Sequence, residues 1–180
     1  MPRRNADDDF QPSALVSRFA SQIVNAAGER PILDVACGSG RNALALSRLN
    51  ATVICADKDL TRLRSREALA SSEKLKPWQL DLEKDSWPFG KAAVGGIINV
   101  HFLLPSLFSF FVASLAADGF LLIETVPGCG GNYLQLPSAG QLRSSFAENF
   151  DFIFYRERKV GPPSFDAVTV QLVGKRRTHA

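Results

Sequence analysis

Along the chain, short apolar runs alternate with amphipathic ones. Leu15, Val16, Phe19, Ile23 and Val24 recur at the spacing of one helical face. Ser13 stands where a capping hydroxyl belongs and Gly28 where a helix stops, which predicts a helix ending near residue 27. PILDVA (31–36) reads as a strand, 41–49 as a helix, and ATVICAD (51–57) as a strand rich in β-branched residues. A helix is expected near 60–70, and Pro77 is expected to open a brief strand, WQLDL. After the turn-like DSWPFGK comes AVGGIINV (93–100), apolar on both faces as a fully buried strand should be. A helix over about 106–116, a fifth strand at GFLLIETV (119–126), a loop at PGCGGNYLQLP and a helix near 138–148 complete the alternation. Strand following helix in this way implies right-handed crossovers, hence an α/β fold with helices on both faces of a parallel sheet. The last two runs, FDFIFYRERKV (150–160) and DAVTVQLVGK (166–175), are separated only by GPPSF. No crossover helix fits there, so they should close the sheet as an antiparallel hairpin.

Composition narrows the class. A chain of 180 residues, 46% apolar and 22% charged, supports one domain with a full core. The ends, 1–11 and 176–180, are expected to be flexible tails. Much of the formal net charge of +3 sits in or beside them, with Arg3, Arg4, Lys175, Arg176 and Arg177 set against Asp7, Asp8 and Asp9. No aromatic-basic motif accompanies it, so no nucleic-acid partner is expected. Residues 92–117 lack Asp, Glu, Lys and Arg, long enough to raise a membrane span. Asn99, His101, Pro105, Ser106, Ser109 and Ser114 interrupt the stretch, which divides into a buried strand, a proline break and a Phe-rich helix, and no span is expected. Cys37, Cys55 and Cys129 are odd in number, without paired spacing, in a chain opening MPRRNADDDF. That usage points to reduced thiols in the cytoplasm and to no metal site. FLLPSLFSFFVASL is apolar around more than one helical face; part should pack on the sheet, and the excess offers a homodimer surface or an apolar acceptor pocket.

The chemistry concentrates where the first strand ends. Asp34 closes the strand, and Ala36-Cys37-Gly38-Ser39-Gly40 leads directly into the next helix. Open parallel sheets bind ligands beyond the carboxyl ends of their strands. Gly38 and Gly40 let the backbone approach a ligand, and helix-start N–H groups favour a carboxylate or phosphate. Asp34 favours a cation, and the combination suits a zwitterion. Gly38-Ser39-Gly40-Arg41-Asn42-Ala43 is a degraded version of the dinucleotide fingerprint. Asp34, four residues before Gly38, would repel a pyrophosphate. Asp57 ends the second strand, where a carboxylate can accept from ribose hydroxyls, and Asp81 the third, where it can accept from an adenine amine.

These residues resemble a family. Asp34-Val35-Ala36-Cys37-Gly38-Ser39-Gly40 is similar to the first motif of class I S-adenosylmethionine-dependent methyltransferases, DxGxGxG, with alanine at the first glycine. Asp57 and Asp81 match its next two acidic positions. The Gly40-Arg41-Asn42 continuation and the downstream Glu124-Thr125, Gly131-Asn132, Pro137, Gln141-Leu142 and AVTVQLVGKR resemble the small bacterial TehB-like branch, named for tellurite methyltransferases. The resemblance runs from about residue 10 to 177 and implies a Rossmann-like three-layer sandwich with a mostly parallel seven-stranded sheet. It implies S-adenosylmethionine as cofactor, with Asp34, Ala36, Gly38 and Gly40 lining its methionine end. Asp57 would hold the ribose, Lys58 would lie beside the adenine, and Asp81 and Leu82 would contact the adenine edge and face. Cys37, Asn42 and Asn99 complete the candidate cofactor-binding set.

Methyl transfer is a displacement that rests mainly on alignment of the reacting atoms. The acceptor, expected to be a small molecule, should sit near Asn99, His101, Glu124 and Thr125, with residues 127–137 as a lid. His101 and Asn99 are the catalytic candidates; His101 suits an acceptor that must lose a proton, or else it is a polar cap on a buried strand. Asn99 does not continue into the Pro-Pro-aromatic pattern of nucleic-acid amino methylation. An NAD-dependent oxidoreductase and a non-catalytic adenosyl-binding scaffold are the alternative readings.

Overall fold

A computed structural model describes residues 11–65, 72–126 and 136–178. Seven strands form one sheet: β1 (Ile32–Val35), β2 (Val53–Asp57), β3 (Leu75–Gln79), β4 (Val94–Val100), β5 (Leu115–Glu124), β6 (Phe150–Val160) and β7 (Ala167–Arg176). The spatial order is β3-β2-β1-β4-β5-β7-β6. The first five strands are parallel, and β7 runs antiparallel to both β5 and β6. Helices α1 (Ala14–Ala27) and α2 (Arg41–Ser47) contribute to one core, and α4 (Phe108–Ser114) and α5 (Gln141–Phe146) to the other. The short α3 (Thr61–Arg64) follows β2. This is the α/β, Rossmann-like sandwich with a terminal antiparallel hairpin that the sequence predicts.

α1 is built as its period demands. Ser13 Oγ accepts from the N–H groups of Leu15 and Val16, and Leu15, Val16, Phe19, Ala20, Ile23 and Ala27 are buried. The helix lies so close to β4 that a Cβ at Gly95 would stand 2.5 Å from Ala27 Cα, which fixes glycine there. α4 spends Phe108 and Phe111 on the core and leaves Phe110 43% exposed, stacked on Trp87 at 5.8 Å.

Four boundaries differ from expectation. β3 begins at Leu75, not after Pro77, because Pro77 pairs with Cys55 on an edge strand, where a missing N–H can face solvent. Asp81 therefore lies two residues past the strand rather than at its tip. β5 begins at Leu115: an irregularity between Val94↔Leu115 and Gly96↔Phe120 takes up the intervening residues, with Asp118 at φ 63°. α5 starts only at Gln141, behind Gly140 at φ 75°. β7 continues through Arg176, one residue into the stretch expected to be a tail. The expected lid falls largely on residues 127–135, and the end of the third predicted helix on 66–70, both outside the described residues.

Candidate functional site

Strand order reverses between β1 and β4, which are neighbours although β2 and β3 extend one way from β1 and β5 continues the other. A cleft of about 480 Å³ opens above that junction. The turn after β1 supplies Ala36, Cys37, Gly38 and Ser39 to it; the start of α1 supplies Ser13, the tip of β4 supplies His101, and Glu124 closes β5. A crevice at the switch point of a parallel sheet is where such folds bind ligands.

The turn is shaped by alternating left-handed residues: Ala36 (φ 53°), Gly38 (φ 56°) and Gly40 (φ 71°). Ala36 occupies a conformation that disfavours any Cβ, which explains why glycine is the usual residue in motifs of this kind. A Cβ at Gly38 would meet nothing within 4 Å, so the backbone there stands bare to the cleft. Most of the turn's N–H groups are already spent. Cys37 N–H donates to Ala56 O at 3.0 Å, Gly40 N–H to Cys37 O at 2.9 Å, and Gly38 N–H to Asp57 Oδ2 at 2.8 Å. The turn thus offers a ligand fewer donors than its glycine pattern suggests.

Asp34 sits directly beneath this turn, 1% exposed. Ala43 N–H donates to its carboxylate, but Oδ2 has no partner. Burial raises its pKa to about 7, helped by the nearby negative charge of Asp57. A buried acid with an orphaned oxygen is costly unless a cation or donor answers it. Asp57 Oδ1 accepts from Asp59 N–H at 3.1 Å while Oδ2 holds Gly38, and each oxygen keeps a further lone pair. A hydrogen bond with Cys55, together with burial, pushes the Cys37 thiol up, so it is held protonated and is no nucleophile.

Of the predicted site residues, Ala36, Cys37, Gly38, Asn42 and His101 line the cleft. Asn42 is structural there, since its Oδ1 accepts from Ser13 N–H at 2.9 Å and ties α2 to α1. His101 is exposed at φ 65°, and its N–H donates to Glu124 O. Asp34 lies under the turn, Gly40 is a buried part of it, and Asp57 is joined to it through Gly38. Lys58, Asp81 and Leu82 do not line the cleft. Lys58 Nζ pairs with Glu83 at 3.4 Å; Asp81 accepts from Glu83 N–H and pairs with Lys84, and that hydrogen bonding holds its carboxyl below the usual range. Leu82 packs against the α4–α5 core. Asn99 does not line the cleft. It is fully buried opposite Val35, with both amide atoms unpartnered.

Sequence reasoning read Ser13 only as a cap. The structure adds a second role, because Ser13 Oγ also donates to Glu124 Oε2. Gln171 Nε2 donates to Glu124 Oε1 at 3.2 Å, so a partly buried network links α1, β5 and β7 at the cleft wall. The capping position of Ser13 was legible; its partner 111 residues away was not.

No family model matches the chain, and no curated protein matches it. Solved structures do match. An S-adenosylmethionine dependent methyltransferase from Mesorhizobium loti superposes with a TM-score of 0.65 at 13% identity, over 91% of this chain and 99% of that one. TehB from Haemophilus influenzae gives 0.61 at 17% identity, over 87% of this chain and 62% of its own. A 1,6-didemethyltoxoflavin-N1-methyltransferase from Burkholderia thailandensis, solved with its acceptor and S-adenosylhomocysteine, gives 0.59 at 18% identity, over 91% and 79%. The chain therefore has the fold of class I S-adenosylmethionine-dependent methyltransferases.

Proposed function

We propose that the protein is an S-adenosylmethionine-dependent methyltransferase acting on a small-molecule acceptor. The observation that carries this reading is Asp34, an orphaned, buried carboxylate beneath a nearly bare turn at the strand-order switch. An ammonium would satisfy Asp34 Oδ2, and the remaining lone pairs of Asp57 suit a ribose diol. Gly38 leaves room for the ligand to lie against the backbone. Bound there, S-adenosylmethionine supplies an electrophilic methyl group on a sulfonium. The chain's part is then to orient: the turn and His101 border the cleft, while the Ser13–Glu124–Gln171 network fixes its far wall. The motif continuation and downstream residues favour the TehB-like branch within this class. Among the described residues no helix is long and apolar enough to cross a membrane, and the cysteine usage favours a cytoplasmic enzyme.

Labelled-methyl transfer from S-adenosylmethionine into a fractionated cell extract, followed by mass spectrometry of the product, tests the proposal. Label should move into a small molecule. Thermal stabilisation by NAD, with none by S-adenosylmethionine or S-adenosylhomocysteine, would overturn it.

A further inference from the structure

A second cavity, about 320 Å³, adjoins the cleft and shares Glu124 with it. Its other polar walls are Thr125, Arg156, Arg158, Thr169 and Gln171. The sheet register explains how these side chains meet. Glu124 pairs with Gln171 and Gln171 with Arg156, placing the three in one cross-strand row, with Arg158 opposite Thr169 in the next.

The arginines face this way because of a β-bulge. Pairing shifts between Phe152↔Gly174 and Phe154↔Val173, so Ile153 is an extra residue in β6. Phe150 and Phe152 pack against the α4–α5 core, whereas Phe154, two residues on, packs against the α1–α2 core. Strict alternation would have kept all three on one face. Past the bulge, Arg156 and Arg158 follow Phe154 onto the α1 side, toward the cavity, while Tyr155 and Glu157 turn to the other face and bond to each other. Bulges recur beside active sites because they re-aim side chains in this manner.

Among the described residues, no acid forms an ion pair with Arg156 or Arg158. The two acids nearest in the register are already engaged. Glu124 accepts from Ser13 and Gln171, and Glu157, on the opposite face, accepts from Tyr155 and from Gly140 N–H. Two guanidinium forks on one face, two residues or about 7 Å apart along the strand, can grip a planar or tetrahedral oxyanion from two sides. Two strand spacings separate Glu124 from Arg156, on the order of 10 Å.

We propose that this groove binds the methyl acceptor, and that the acceptor carries an oxyanionic group, carboxylate or phosphate, held by Arg156 and Arg158. The proposal rests on the methyltransferase reading above. The acceptor lies with its anionic end at the arginines and its nucleophilic atom past Glu124, in the cleft. A lone pair on that atom forms the new bond to the methyl carbon, the carbon–sulfur bond breaks with its electrons returning to sulfur, and any proton on the acceptor atom leaves to water.

Two measurements on the full chain test this. First, phenylglyoxal modification of Arg156 and Arg158 is followed by peptide mass spectrometry in inorganic phosphate, benzoate, neutral benzamide or chloride at matched ionic strength. Slower modification of both arginines in phosphate or benzoate alone is expected, and the stronger of the two identifies the anion class. Equal rates in all four solutions would overturn the site. Second, labelled-methyl products from an extract are separated on an anion exchanger. Label should be retained, and Arg156→Gln/Arg158→Gln should lower transfer by about 10–100-fold, the loss of charged hydrogen bonds, with S-adenosylmethionine binding unchanged. Label only in the flow-through, or full transfer by the double variant, would overturn the proposal. Protection without any transfer by the wild-type chain would sink the methyltransferase reading, and the acceptor role with it, while leaving the anion contact itself intact.

Discussion

The two halves of the sheet make their sites by different means. Around β1 and β2 the cleft is shaped by backbone: three alternating left-handed residues, hydrogen bonds that use up the turn, and carboxylates beneath and beside it. Around β5, β7 and β6 the groove is shaped by side chains, set in rows by antiparallel register and re-aimed by one extra residue. A backbone-built site tolerates few substitutions and leaves a motif. A side-chain-built site is free to vary and leaves little trace. The difference fits a protein whose first site takes a fixed cofactor and whose second selects its own acceptor.

The largest effect should come from the frame both halves share. In Gly95→Ala the new Cβ would lie 2.5 Å from Ala27 Cα, a backbone atom that cannot yield without moving α1. Urea unfolding should show a loss of about 3 kcal/mol or more, as overpacking against backbone does. Both sites would be disturbed together.

Asp57→Ala should separate the halves. It removes the acceptor of Gly38 N–H and the proposed ribose contact, and calorimetry should find S-adenosylmethionine binding weaker by about 1–3 kcal/mol. Anion protection of Arg156 and Arg158 should be unaffected.

Asp34 gives the cleft a pH signature. Its pKa is raised from 3.8 to about 7, so the ligand-free fold binds that proton more tightly than the unfolded chain does. The contribution is fully present below pH 4 and is lost as pH rises to about 7, by up to about 4 kcal/mol. Unfolding curves of wild type and Asp34→Asn, compared across that range, isolate the Asp34 contribution: the difference between them should change between pH 4 and 7 and level off above. The ammonium of the cofactor favours the ionised form, so wild-type affinity should rise over the same range and that of the variant should not.

Ala36→Gly should have the smallest effect. Relief of the left-handed alanine at φ 53° is offset by the greater freedom of glycine in the unfolded chain. Thermal unfolding should show a gain of up to about 1 kcal/mol, the usual scale of the left-handed penalty.

The same contrast governs what could be read from the sequence. The period of α1, the apolar run of β4 and the short GPPSF linker fixed layer, burial and hairpin because each follows from local spacing. Asp34 and the Gly38–Gly40 turn were legible because backbone geometry restricts residue type. Pro77 misled, since its tolerance depends on β3 being an edge, which is a property of the whole sheet. Asn99 read as a site residue from its place at the end of β4; that its side chain is fully buried with both amide atoms unpartnered is a property of the packed sheet. The Ile153 bulge had a visible symptom, three phenylalanines at one parity, but which phenylalanine changes face is settled only by pairing with Gly174 and Val173. Glu124 was placed near the acceptor from its position on β5; its bonds to Ser13 and Gln171 required the fold.

A crystal structure with S-adenosylhomocysteine tests the central claim most directly. The ligand should lie in the cleft over Ala36 and Gly38, its ammonium at Asp34 Oδ2 and its ribose hydroxyls on Asp57, with the thioether sulfur facing the wall formed by Glu124. Density elsewhere, or a ligand in the cleft that leaves both carboxylates untouched, would contradict the account.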